Sequence, residues 1–205
     1  MDLQEIVDVL AETHKNDLHF DLNFENPFQL LVGALLAAQA SDESVNAITK
    51  GFFKTFPTPE SVATASEETL EKAIYPVNFY KTKARRLKEC CKALSTAFHG
   101  KVPESLDDLA SLPGVGKKTA SMVVLGAYGK PAVVVDRHVL RVLNRLGFSY
   151  KNADMAEEEV KKLLSPSYWG KLSFALMRHG KTICLAKKPQ CSQCPLKDTC
   201  PSSEV

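Results

Sequence analysis

The amino-acid sequence predicts an all-α fold for this chain of 205 residues. Apolar residues recur at helical spacing in several segments, and residues that cap helices stand before many of them. A single run, residues 132–135, has the β-branched composition of a strand, and no partner strand for it is visible. Helices are therefore expected to build the core and to carry any functional site.

Composition restricts the possible function classes. A net charge of +2 is too small to indicate a polyanionic partner by itself, so a nucleic-acid surface would need local clusters of Lys and Arg. The longest apolar run, residues 30–40, is too short to cross a membrane, and the N-terminus lacks the layout of a signal peptide. We therefore expect a monomeric intracellular protein of the cytoplasm or nucleoid, whose six cysteines are thiols or metal ligands rather than disulfides.

The first half of the chain has a series of helical segments. An amphipathic helix is predicted for residues 3–14, and Asn26-Pro27 opens the next one, which is apolar nearly all round to Ala40 and should lie at the centre of a helical domain. Further helices follow. One is expected from Ser41 or Asp42 through Phe53. Two short helices should begin at Thr58 and Ser66, and a longer helix should cover residues 82–98.

The segment Leu112–Ala120, with the sequence LPGVGKKTA, is a short turn that opens directly into a helix. Gly114 and Gly116 leave no side chain between the backbone and a ligand, and the N–H groups of the new helix favour an anion such as phosphate. An ordinary helix–helix turn fits these residues. A nucleotide P-loop fits poorly, because Ser111 stands where its first glycine belongs. With residues 105–110 as a first helix, the segment also fits a helix-hairpin-helix that holds a nucleic-acid phosphate.

The helices after this hairpin lead to a basic stripe. The helix that begins in the hairpin should stop at Gly129-Lys130-Pro131, and Asp136 should cap a helix to Leu146. Arg137, Arg141 and Arg145 share one face of that helix. Such a stripe is usually a solvated face, but next to a phosphate-binding hairpin it favours DNA contact. Two more helices are predicted, near residues 154–164 and 168–182.

Four cysteines near the C-terminus have the spacing C-x6-C-x2-C-x5-C, at Cys184, Cys191, Cys194 and Cys200. Their density in a reducing compartment predicts a metal site, and both tetrahedral zinc and a [4Fe–4S] cluster accept four thiolates. The spacing alone does not decide between the two. Cys90 and Cys91 lie far from this segment and should be ordinary buried thiols.

Lys118 and Asp136 are the candidate catalytic residues. Lys118 lies in the first turn of a helix, where the dipole disfavours a cation. Partial burial in a positive environment would release its proton and make the amine a nucleophile, whereas an arbitrary lysine more often reaches solvent or a phosphate. Asp136 could be a plain N-cap, or could also place a carboxylate beside a developing cation.

Three features in this order resemble the endonuclease III family, within the helix-hairpin-helix DNA glycosylase superfamily. They are the hairpin at residues 112–120, the pair Val135-Asp136 and the four-cysteine tail. Similarity extends to Asn23-Phe24, Pro27-Phe28-Gln29-Leu30-Leu31, Ala38-Gln39-Ala40-Ser41-Asp42 and His179-Gly180. The resemblance covers nearly the whole chain, and the three features together are much more specific than any one alone.

The resemblance implies a two-lobed, all-α helix-hairpin-helix DNA glycosylase fold. A six-helix barrel lobe would cover residues 21–131, and residues 1–20 with 132–205 would form a helical lobe that carries a [4Fe–4S] cluster on the four C-terminal cysteines. Double-stranded DNA with damaged bases or abasic sites would lie across the cleft between the lobes.

The resemblance also implies the chemistry. Lys118 would be the nucleophile of a bifunctional DNA glycosylase and AP lyase that removes oxidised pyrimidines, and Asp136 its catalytic aspartate. Gln39 would fill the space that a flipped base leaves, and Phe79 would be a second wedge. The remaining DNA contacts would be backbone amides at Gly114 and Gly116, with a monovalent cation bridging to hairpin carbonyls, and the side chains of Lys187 and Lys188.

Four residues depart from the family pattern at positions that line or border the lesion pocket. Asn78 stands where glycine is usual, Lys81 where asparagine is often found, Arg137 where threonine is common, and Ser121 where asparagine is frequent. A glycosylase with a shifted substrate, such as mismatched or alkylated bases, is therefore the first alternative. A non-catalytic iron–sulfur or zinc DNA-binding protein is the second, although such a protein would need neither Lys118 nor Asp136.

Overall fold

The structure, a computed structural model, describes residues 1–205 and contains eleven α-helices, one short 3-10 helix and no β-strand. The α-helices are α1 (Leu3–Thr13), α2 (Pro27–Leu36), α3 (Asp42–Thr55), α4 (Pro59–Thr64), α5 (Glu67–Ile74), α6 (Tyr80–Ala97), α7 (Leu106–Ser111), α8 (Lys117–Tyr128), α9 (Arg137–Arg145), α10 (Ala153–Leu163) and α11 (Pro166–Thr182). The predicted all-α class is confirmed. None of these helices is both long and apolar enough to span a membrane.

Capping side chains determine where the predicted helices begin. Asn26 accepts a hydrogen bond from the Gln29 N–H at 3.0 Å, and Pro27 occupies the first position of α2. The predicted end of this helix at Ala40 is wrong, because α2 stops at Leu36. Gln39 has a left-handed backbone, with φ of 56°, and an α-helix cannot continue through that conformation.

The chain divides into two compact units, and the first comprises Asp21–Lys130. In this unit α2 packs against α3, α6 and α8, while α4 and α5 pack on α6 and α7 packs on α8. Seven of the ten residues of α2 are buried, as its apolar sequence predicts for a central helix. Cys90 and Cys91 are buried in α6, and burial raises the pKa of the Cys90 thiol to about 12. Both are the ordinary buried thiols that the sequence predicts.

The second unit comprises Met1–Phe20 and Pro131–Val205. Here α11 packs against α1, α9 and α10, and an ion pair of 2.5 Å between Lys171 and Asp8 joins α11 to α1. Residues 132–135 are buried and unpaired with any strand, and the Val134 N–H donates instead to Ser173 Oγ at 2.9 Å. Their strand-like composition therefore reflects burial and not a sheet.

Candidate functional site

The predicted hairpin lies between α7 and α8. Leu112 and Val115 are buried, and the Val115 N–H donates to the Leu112 carbonyl at 3.1 Å, which closes the turn. Gly114 has a φ of 79°, the left-handed conformation that the third position of a type II turn requires, and Pro113 occupies the second position. The two buried apolar side chains thus anchor a turn whose exposed part is almost bare backbone.

Gly116 is the N-cap of α8, and no side chain caps this helix. A Cβ added at Gly116 would meet no atom within 4 Å, so the backbone faces open space at this position. The first turn of α8 also carries the positive end of the helix dipole. This arrangement is suited to an anion such as a phosphate.

Lys118 is the second residue of α8 and is exposed. In the protein alone this side chain therefore reaches solvent, as is usual for an arbitrary lysine, and is not partially buried. Lys118 belongs to the unit 21–130, together with Gln39, Phe79 and the hairpin. Asp136 and the four C-terminal cysteines belong to the other unit.

Asp136 caps α9, as the sequence predicts. Its Oδ1 accepts hydrogen bonds from the backbone N–H groups of His138 and Val139, both at 2.8 Å. Both capping bonds fall on the same oxygen. Helix capping therefore occupies one of the two carboxylate oxygens of a half-buried side chain.

Gln39 and Phe79, the two expected wedge residues, are both exposed, and 64% of Phe79 is accessible to solvent. Both have left-handed backbones, with φ of 56° and 58°. The side-chain amide of Asn78 connects them, because its Nδ2 donates to the Gln39 carbonyl at 3.1 Å. The structure thus brings these two positions together, although they lie on separate loops.

The four C-terminal cysteines line one pocket with residues of α9 and α11. They surround this space and do not meet at one point, since no group of three or more His, Cys, Asp or Glu side chains is placed to hold a single metal ion. Burial is the main cause that raises the pKa of the Cys194 thiol; the hydrogen bond with the Leu196 backbone opposes it, and repulsion from the other three cysteines adds to it.

Two polar side chains of this pocket also fit a cluster there. Arg145 Nη1 donates to Cys184 Sγ at 3.3 Å, which is favourable for a thiolate. The Ser203 hydroxyl lines the same pocket, and it is buried without a hydrogen-bond partner in the protein. Sulfide atoms of a cluster would give that hydroxyl an acceptor. The side chains that line this pocket therefore fit an iron–sulfur cluster held by the four cysteines.

Two arginines of the α9 stripe, Arg141 and Arg145, bind backbone carbonyls of the protein. Arg141 donates to the carbonyls of Cys184 and Gly180, at 3.0 and 2.6 Å. Arg145 donates to the carbonyls of Leu185 and Ala186, at 2.6 and 3.2 Å. These two arginines therefore bind the backbone of the segment around Cys184, and DNA contact by the stripe stays a prediction.

Lys187 and Lys188 lie in this loop and are exposed. The loop is closed by a backbone hydrogen bond of 2.9 Å from Gln190 to Ile183, and Lys188 has a left-handed backbone with φ of 52°. Because Arg145 also ties the loop to α9, the two ammonium groups project from an anchored segment.

A chain of polar contacts lies beside the cysteines, and the sequence does not predict it. His179 is buried, its Nε2 lies 3.5 Å from Cys194 Sγ, and its Nδ1 lies 3.3 Å from His14 Nε2. Burial, followed by repulsion from His14, lowers the pKa of His179 to about 4. His179-Gly180 was visible in the sequence only as part of a resemblance, and no local signal connects His14 to a residue 165 positions away.

Comparisons with known proteins place the chain in a family. Residues 32–166 match the HhH-GPD superfamily base excision DNA repair proteins, and residues 184–200 match the iron–sulfur binding domain of endonuclease III. The endonuclease III of Rickettsia conorii is 36% identical over 97% of this chain and 94% of its own length. The predicted cluster-binding segment is therefore confirmed as an iron–sulfur domain.

Two solved structures agree with this result. A non-covalent endonuclease III–DNA complex has a TM-score of 0.93 and 35% identity, covering 98% of this chain and 94% of its own. A trapped endonuclease III–DNA covalent intermediate has a TM-score of 0.93 and 36% identity, covering 99% of this chain and 97% of its own. The predicted helix-hairpin-helix DNA glycosylase fold is thereby confirmed. The chain belongs to the endonuclease III family of the HhH-GPD superfamily of base excision DNA repair proteins.

Proposed function

We propose that this chain is a bifunctional DNA glycosylase and AP lyase of base excision repair that removes oxidised pyrimidines such as thymine glycol. The observation that carries the proposal is the position of Lys118, in the first turn of the helix that follows the hairpin. It is supported by full-length similarity to an endonuclease III that was trapped in a covalent intermediate with DNA. The substrate would place the protein with genomic DNA, in the cytoplasm at the nucleoid, acting as a monomer.

Lys118 would form the covalent bond. Its Nζ attacks C1′ of the damaged nucleotide, the bond from C1′ to the base breaks, and the base leaves with the electron pair and takes up a proton. Sugar-ring opening leaves an imine between Nζ and C1′. Loss of a C2′ proton then forms a C2′–C3′ double bond and breaks the C3′–O bond, so that the downstream strand leaves with a 5′ phosphate. Since Lys118 is exposed in the protein alone, the bound substrate must exclude water from its amine.

Asp136 would supply a negative charge to this reaction. Base expulsion develops positive charge on the sugar, and a carboxylate beside it stabilises that charge. Because capping uses Oδ1, we assign the interaction with the sugar or with the departing proton to Oδ2.

Other residues would hold the DNA. Amides at Gly114 and Gly116 bind phosphate, with a monovalent cation on hairpin carbonyls, and Lys187 and Lys188 contact further phosphates. The damaged base is flipped out, Gln39 fills the vacated space and Phe79 wedges beside it. A [4Fe–4S] cluster on Cys184, Cys191, Cys194 and Cys200 supplies a rigid cross-link for the lysine loop.

The two hairpin glycines should respond differently to substitution. Gly116→Ala adds a methyl group in open space but replaces an N-cap glycine, so we expect the free energy of unfolding to fall by at most about 1 kcal/mol. The methyl group would obstruct the phosphate, and we expect affinity for duplex DNA to fall about tenfold, the loss of one charge-assisted hydrogen bond. Gly114→Ala, at a φ of 79°, should instead destabilise the protein by about 1–2 kcal/mol. Thermal unfolding and anisotropy of a labelled duplex measure both effects, and unchanged affinity in Gly116→Ala would contradict the phosphate site.

A borohydride trapping panel tests the proposed activity. Borohydride reduces the imine to a stable amine, so duplexes with thymine glycol or an abasic site should give a covalent protein–DNA adduct. An undamaged duplex, and chloride in place of borohydride, are the controls. If the protein binds DNA but no adduct forms on either lesion, the bifunctional activity is refuted.

The same panel tests a shifted substrate, which the unusual residues Asn78, Lys81, Ser121 and Arg137 favour. Adducts on the abasic duplex and on mismatched thymine or an alkylated base, without an adduct on thymine glycol, would support that alternative.

A further inference from the structure

Two strained loops carry the proposed wedge residues. The Gln39 loop comprises residues 37–41, after α2, and the Phe79 turn comprises residues 75–79, before α6. Gln39 and Phe79 are non-glycine residues with φ of 56° and 58°. Such conformations persist only where the surrounding structure holds them, and they concentrate at functional sites. The contacts that hold these two loops should therefore contribute to the placement of Gln39 and Phe79.

Two cross-links hold this region, one between the loops themselves and one between the helices beside them. Asn78 Nδ2 donates to the Gln39 carbonyl at 3.1 Å. Lys83 makes the second link, because its backbone N–H donates to the Phe79 carbonyl at 3.0 Å and its Nζ donates to the Leu36 carbonyl at 2.7 Å. Lys83 is 8% exposed, so this ammonium group is committed to the C-terminal end of α2.

The two cross-links differ in what they hold. Lys83 fixes α6 to the end of α2, which is the base of the Gln39 loop. Asn78 acts at the exposed tip of the loops, directly on the residue whose side chain would enter the duplex.

We propose that Asn78 is a positioning residue that couples the Gln39 loop to the Phe79 turn, so that both side chains enter the duplex together. The coupling fixes the separation of the two inserted groups before DNA binds. This inference rests on the proposed function of Gln39 and Phe79 as wedges. The inference adds that Gln39 and Phe79 enter the duplex in a single concerted step. Loss of the Asn78 hydrogen bond should therefore slow the entry of Gln39.

An uncleavable DNA isolates this step from the chemistry. The probe is a duplex with a tetrahydrofuran abasic analogue, which cannot form an imine, and 2-aminopurine opposite it. Insertion of the wedges unstacks the 2-aminopurine and raises its fluorescence, which stopped-flow mixing follows. We expect Asn78→Ala to slow this rise about fivefold, on the scale of one net hydrogen bond. Asn78→Asp has the same shape but lacks the donor, and should be slowed at least as much.

A matched control separates positioning from stability. Thr96→Ala also removes an exposed side-chain hydrogen bond to a backbone carbonyl, of 2.9 Å to Lys92, but far from the loops in sequence and without contact to either. It should insert at the wild-type rate. In a Gln39→Ala background, Asn78→Ala should cause no further slowing, because the side chain that it positions is gone.

The experiment distinguishes failure of the wedge role of Gln39 from failure of the coupling through Asn78. If Gln39→Ala leaves the fluorescence rise unchanged, Gln39 is not a wedge and the proposed function of that residue fails. If Gln39→Ala slows the rise but Asn78→Ala and Asn78→Asp match the wild type, the coupling is refuted while the wedge remains. Additive effects in the double variant, with a lowered Tm for Asn78→Ala alone, would also overturn the positioning role.

Discussion

Lys118→Ala is expected to abolish the covalent adduct that borohydride traps on an abasic duplex. Removal of a covalent nucleophile can lower an enzyme's rate by about 10⁶-fold, so strand cleavage should fall to the background rate. The side chain is exposed, and its removal leaves no cavity. Because a cation in the first turn of a helix is unfavourable, we expect the free energy of unfolding to rise by about 0.3–1 kcal/mol. Loss of activity with undiminished stability would identify the nucleophile.

Lys117→Ala is the matched control. It removes the same charge from the preceding residue of the same helical turn, which is also exposed. Successive helical side chains point in directions about 100° apart, so Lys117 cannot replace Lys118 at the same sugar carbon. The adduct should therefore still form in Lys117→Ala. An adduct of normal yield in Lys118→Ala would assign the imine to another amine.

Features with local causes could be predicted from the sequence. Asn26-Pro27 marks the start of α2 because one side-chain cap and one fixed φ act within four residues, and Gly129 ends α8 in a left-handed conformation. The hairpin follows from Pro113 and Gly114 in the same way. The four-cysteine spacing predicted a shared site, but the choice of iron–sulfur over zinc depended on the family and not on the spacing.

Features that depend on distant contacts could not be predicted. The helical pattern predicts that Arg145 is a surface charge, yet its side chain donates to carbonyls about 40 positions later in the chain. The Asn78–Gln39 hydrogen bond is equally invisible, since it spans 39 positions and depends on how two loops pack. A guanidinium or an amide can donate to a carbonyl, a phosphate or water, so the tertiary structure decides which of them is its partner.

The second large effect is expected at Asp136, where structure and chemistry can be separated. Asparagine is as good an N-cap as aspartate, and its oxygen can accept the same two hydrogen bonds from His138 and Val139. Asp136→Asn should therefore change the free energy of unfolding by less than about 0.5 kcal/mol. It removes the negative charge, however, and we expect single-turnover release of thymine glycol to slow by about 10²–10³-fold. The loss on a preformed abasic site should be smaller, because no base has to be expelled.

Asp136→Ala completes this comparison, because it removes the cap and the charge together. It should lose activity as Asp136→Asn does and, in addition, about 0.5–2 kcal/mol of stability. Thermal unfolding and single-turnover rates of the wild type, Asp136→Asn and Asp136→Ala then separate the contribution of helix capping to stability from the contribution of the negative charge to catalysis. If Asp136→Asn releases thymine glycol at the wild-type rate while Asp136→Ala is destabilised, the carboxylate is a helix cap alone. In that event the charge that stabilises the sugar must come from another residue, although Lys118 could still be the nucleophile.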